Sequence, residues 1–152
     1  MRRAVARGGM RMRWCLAGLL AIGPLAGAAN GVAAEDMPDC IDPQSQMEMT
    51  YCAGVDYEKA DADLNAIWPD IVAAAKSNDE YVGDMARDRG VPTTVEALRS
   101  AQRAWIRFRD AQCEFEAYEA FGGTAQPMIG SMCLARLTRE RIEVLARILE
   151  TR

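Results

Sequence analysis

Four cysteines limit what this chain can fold into. Cys40 and Cys52 lie twelve residues apart, and Cys113 and Cys133 lie twenty apart. Two disulfides, a redox pair or a metal site could each use such a set. No two cysteines form C-x-x-C, and the chain holds no histidine, which removes the usual thioredoxin-like and zinc-site patterns. An even cysteine count in a small exported domain reads as a disulfide framework, and export is what the N-terminus encodes. Five arginines and no acid occupy the first thirteen residues. The apolar run Trp14 to Ala29 follows, and then Gly31-Val32-Ala33-Ala34. These are the charged region, apolar region and small-residue cleavage site of a secretory leader. The run spans 16 residues, short of the roughly 20 needed to cross a bilayer. Cleavage is expected near Ala34. Cys15, within the leader, lacks the surroundings of a lipidation site.

Residues 35–152 then form one domain. All 22 acids and 13 of the 18 bases lie beyond the leader, so this domain carries a net charge of −9. Such a surface repels nucleic acid and anionic membrane and attracts a basic protein. No later apolar run is long enough to span a membrane.

The periodicity of this domain is helical throughout. Residues 35–47, with Pro38 and Pro43, read as an irregular lead-in. Ala53, Tyr57, Ala60, Leu64, Ile67 and Ile71 recur at three- and four-residue spacing, predicting a first helix from about Glu48 to about Lys76. Pro69 should kink or break it near Trp68. Asn78-Asp79-Glu80 could open a short helix that stops at Gly90. Thr93 and Glu96 form a capping box for a second long helix, Thr94 to about Ala120. Gly122-Gly123 ends it, and Pro127 suits the first turn of a last helix reaching Glu150. The expected fold is all-α: a compact bundle dominated by three long helices and stapled by disulfides. Gly123 is the midpoint between Cys113 and Cys133. An antiparallel hairpin therefore sets those two cysteines side by side and leaves Cys40 to pair with Cys52.

Two apolar stripes carry charges. Gln102, Trp105, Arg109 and Cys113 share one face of the second helix with Val95 and Leu98. On the last helix Arg141 sits among Leu134, Leu137, Val144, Leu145 and Ile148. Asp56 and Asp63 flank the apolar face of the first helix. An arginine on a buried face needs partners. Asp56, Asp63 or helix-end carbonyls could supply them. The alternative is that Arg109 and Arg141 form a site for an anionic ligand.

Catalysis finds little support. Without histidine no histidine-based triad exists, and no G-x-S-x-G or phosphate-binding glycine loop occurs. No catalytic residue, cofactor or metal is expected. Asp61-x-Asp63-x-Asn65 imitates the start of a calcium loop, but Ala66 replaces its glycine and Val72 its closing glutamate. Met47, Met49, Met128 and Met132 could suit copper(I), yet methionines at helical spacing are usually core filler.

The ordered set Cys52-Ala53, Asp61-x-x-Leu64-Asn65, Gln102-x-x-Trp105-Ile106-x-x-Arg109-Asp110-x-x-Cys113, Gly122-Gly123-Thr124, Cys133 and Thr138-x-x-Arg141-x-x-x-Leu145 resembles the LprI-like lysozyme-inhibitor family. Pro69 and residues 77–92, which read as an insertion, depart from the pattern. The resemblance implies a helical periplasmic or secreted bacterial domain with no catalytic set. Its expected partner is a basic lysozyme of the chicken type, inhibited by occlusion of the cleft. The alternative is a non-catalytic periplasmic binding or adaptor module. The narrow turn Phe121-Gly122-Gly123-Thr124 is the candidate contact, although the glycines could serve only to make the turn.

Overall fold

In the computed structural model, which describes residues 38–150, a long helix α1 (Gln46–Asp88) is followed by α2 (Thr94–Ala117). A single 3-10 turn (Tyr118–Ala120) then leads through a tight loop into α3 (Gln126–Glu150). The leader expected over residues 1–34 lies outside the described residues. No helix among the described residues is long and apolar enough to cross a membrane.

The helix ends follow local chemistry. Ser45 caps α1 and Thr93 caps α2, each in a capping box closed by Glu48 and Glu96 respectively. At its other end α1 stops at Gly90, which takes φ +66°. The Val91 amide reaches back to the Ala86 carbonyl at 3.0 Å, as the left-handed glycine cap of a helix requires.

α1 differs from expectation at two points. No break occurs at Trp68, and no separate helix begins at Asn78; α1 runs unbroken for 43 residues. Pro69 removes one donor, but both Pro69 and Asn65, whose carbonyl loses its bond, lie exposed. Water can satisfy that carbonyl, which lowers the cost of the proline. Beyond it Ala73-Ala74-Ala75-Lys76 favours helix, and neither glycine nor proline intervenes before Gly83.

Asn78 and Asp79 do cap a helix, but it is α2 rather than one of their own. The Asp79 carboxylate accepts from the amides of Thr94 at 2.7 Å and Val95 at 3.1 Å, and the Asn78 side-chain amide donates to the Thr94 hydroxyl at 2.9 Å. The far half of α1 is thereby bonded to the start of α2.

The core runs between the helices in two adjoining groups. Leu64, Ile71 and Leu145 are buried with Ile67, Trp68, Leu98, Trp105 and Ile142 packed against them. Cys113, Cys133 and Leu137 form the second group, beside Leu134. Buried alanines at 53, 60 and 135 bring α1 and α3 together, the most extensive helix pairing in the fold. Disulfides join Cys40 to Cys52 and Cys113 to Cys133, each with Cα atoms 5.4 Å apart. The first ties the lead-in to α1, and the second clamps the α2–α3 hairpin. Disulfides of this kind belong to an oxidising compartment.

Replacing Cys113 and Cys133 together by alanine should lower stability by about 3 kcal/mol, the value for closing a loop of this size. Denaturant melts of the oxidised protein and the double variant measure it. Asp79 generates a second expectation. Partial burial pushes its carboxyl up, but hydrogen bonds from Thr94 and Val95 outweigh this and hold it below the ordinary carboxylate value. A lowered folded value means stability that is present above the ordinary carboxylate range and lost as the pH falls through the folded value. Asp79→Asn should therefore melt below the wild type at neutral pH. The gap should close in acid, and thermal melts across pH read it out.

Candidate functional site

The charged residues of the two apolar stripes meet where the three helices come together. Arg109 is 7% exposed. Its Nε and Nη2 both reach Asp110 Oδ1 at 2.9 Å, and Nη1 reaches Asp61 Oδ1 at 3.4 Å and the Thr138 hydroxyl at 3.5 Å. Aromatic rings flank the guanidinium: its carbon lies 5.1 Å from the Trp105 ring centre and 5.4 Å from that of Tyr57. These are cation–π distances. Burial raises the Tyr57 hydroxyl above its ordinary value, and the positive charge of Arg109 partly opposes that rise.

Arg141 approaches the same tryptophan at 5.7 Å and donates from Nε to Gln102 Oε1 at 3.0 Å. It makes no ion pair among the described residues. Burial pulls its guanidinium below the ordinary value. A neutral amide and an aromatic face thus replace the carboxylate expected for it.

Asp56 and Asp63 are not part of this cluster. Both are exposed: Asp56 pairs with Arg139, and Asp63 with Lys59 one turn away. The acid that faces Arg109 from α1 is Asp61. Helix geometry contains the signal: relative to Leu64, Asp61 is rotated by about 60°, Asp56 by about 80° and Asp63 by about 100°. Thr138, fully buried on α3, and Tyr57 complete the set. Among the described residues no buried side-chain nitrogen or oxygen lacks a hydrogen-bond partner. Its partners come from all three helices, so the cluster ties them together.

The Phe121-Gly122-Gly123-Thr124 turn is of another kind, because all four residues are exposed. Gly122 takes φ +75°, which a side chain would resist. Its amide donates to Gln126 Oε1 at 2.9 Å, and the Gly123 amide donates to the Ala120 carbonyl at 2.8 Å. Phe121 stacks on Tyr118 with ring centres 5.0 Å apart. The turn is therefore both presented and braced. Beside it a groove of about 430 Å³ runs between α2 and α3, lined by Glu114, Ala117, Gln126, Pro127, Gly130 and Leu134 among others.

Arg109→Ala should destabilise the protein by about 2–3 kcal/mol. That is less than the roughly 3–5 kcal/mol for stranding a dry partner, because Asp61 and Asp110 reach solvent. Arg109→Lys should recover only part of the loss, since an ammonium cannot reproduce the planar fork. Chemical denaturation of the three proteins decides it.

The family model described as lysozyme inhibitor LprI matches residues 39–145, which include both disulfides, the Arg109 cluster and the turn. An uncharacterized protein of Rhizobium meliloti (strain 1021) is 44% identical over 119 residues, covering 78% of this chain and 84% of its own. No solved structure matches. On the match across residues 39–145, the chain belongs to the lysozyme inhibitor LprI family.

Proposed function

We propose that this protein is exported, loses its leader near Ala34, and inhibits a basic lysozyme of the chicken type in the periplasm or outside the cell. The family match carries this reading. The net charge of −9 beyond residue 34 and the two disulfides support it. The protein acts without chemistry of its own. Glycoside hydrolysis needs the sugar chain laid between two carboxylates in a cleft. A rigid body seated over that cleft stops the reaction by excluding substrate.

The Phe121–Thr124 turn is the element proposed to enter. It protrudes between two helices clamped by the Cys113–Cys133 bond, so little conformational freedom is lost when it docks. Phe121, 71% exposed, offers an aromatic anchor. Charge raises the rate of encounter. Persistence of the complex needs a packed contact of roughly 800 Å² on each partner.

A cell-wall turbidity assay with purified protein and chicken-type lysozyme tests this across a salt series. Inhibition should saturate at one inhibitor per enzyme and survive physiological salt, where exposed charges are screened beyond about 8 Å. Thr124→Trp should weaken inhibition by tenfold or more, about 1.4 kcal/mol, with an unchanged melting temperature. Thr124 is a better probe than Gly123, where an added side chain would meet the Ala120 carbonyl oxygen at 3.2 Å. Inhibition absent in low salt, or gone by physiological salt, overturns the reading.

A further inference from the structure

The chain has three phenylalanines, and none is in the core. Phe108 is 55% exposed, Phe115 72% and Phe121 71%, with Tyr118 at 56%. At about 100° per residue, Ala101, Ala104, Phe108, Ala111 and Phe115 on α2, with Tyr118 in the 3-10 turn that continues it, fall within about 100° of one another. This face points away from Arg109 and Cys113, and all six residues are exposed. Their spacing of three and four residues is that of a coiled-coil seam.

We propose that this face pairs with the same face of a second copy of the chain, the two α2 helices running antiparallel about a two-fold axis between Phe108 and Ala111. In antiparallel coiled coils the two kinds of seam position face each other. That register sets Phe108 against the partner's Ala111, Phe115 against the partner's Ala104, and Tyr118 against the partner's Ala101. Every layer then joins one ring to one methyl group, and the two-fold axis repeats each layer. Large residues opposite small ones fill the seam without voids, and the alanines let the axes approach to about 8 Å.

The flanking charges favour a second copy over a uniformly basic partner. Arg107 and Glu114 border the same side of the seam, seven residues apart. Among the described residues neither makes an ion pair within the chain. In the antiparallel register Arg107 faces the partner's Glu114, and Glu114 faces the partner's Arg107. A basic protein would meet Arg107 with repulsion; a reversed copy meets Arg107 and Glu114 each with its opposite. A single helix face of six seam residues is small for an interface, so the dimer is reversible.

Sedimentation velocity on the purified protein over a concentration series tests the proposal. The wild type should shift from one chain to two as concentration rises. Arg107→Glu and Glu114→Arg should each weaken association by about tenfold or more, because like charges then face each other twice. The double variant R107E/E114R should regain the wild-type association, a rescue that loss of folding could not mimic. A single-chain mass at every concentration, or a double variant as weak as the single ones, overturns the proposal. Lysozyme inhibition lost in Arg107→Glu while self-association persists would also overturn it, by assigning the face to the enzyme.

Discussion

A guanidinium that cannot be left without partners sits where the three helices meet. Arg109 is held by an acid on α1, an acid on its own helix and a hydroxyl on α3, between two aromatic rings. These partners are directional, unlike the apolar contacts around them. A slip of α3 by one turn would separate Thr138 from the fork. The bundle's core is small and rich in alanine, and such a core specifies register weakly on its own. The buried arginine supplies specificity; its net contribution to stability is smaller, because desolvating the charge offsets much of what its partners return.

The rest of the molecule is tied at its ends. Cys113–Cys133 clamps the hairpin beside the turn, and Cys40–Cys52 fastens the lead-in to the start of α1. At the opposite end no disulfide is present among the described residues, and the Asp79 carboxylate does the equivalent work by accepting two amides of α2. These amides are orphans of the helix start, so the same contact satisfies them and fixes where α2 begins along α1. Covalent and polar ties thus share the fastening of the helix ends between them.

The helices, their caps and the cysteine pairing could be read from sequence because they rest on local or nearly local rules. The Thr93 cap needs only a glutamate three residues on, and Gly90 needs only a backbone that tolerates positive φ; the same box at Ser45 starts α1 at Gln46, ahead of the expected Glu48. The errors came where a local signal was answered from a distance. Asn78-Asp79 has the chemistry of a helix start, but the helix it caps begins fifteen residues later. Pro69 signals a break in isolation, yet it falls on the exposed side, where water serves the freed carbonyl. Asp56 and Asp63 were as acidic as Asp61, and only their angle about α1 separates them from the buried face. The general rule gives Arg141 a carboxylate, whereas Gln102 and the Trp105 ring contact it instead.

The distribution of side-chain size completes the physical picture. Alanine supplies much of the buried interior, while the phenylalanines lie on the surface. Burying a ring of that size would contribute about 1.5–3 kcal/mol, so the fold forgoes a sizeable stabilisation at each position. Exposed rings gathered along α2 and its turn have the form of contact surface rather than scattered apolar residues. The stability of the isolated chain depends little on them, because its register is set by Arg109 and its ends by the disulfides and Asp79. Substitutions along this face should therefore report on association with little effect on folding.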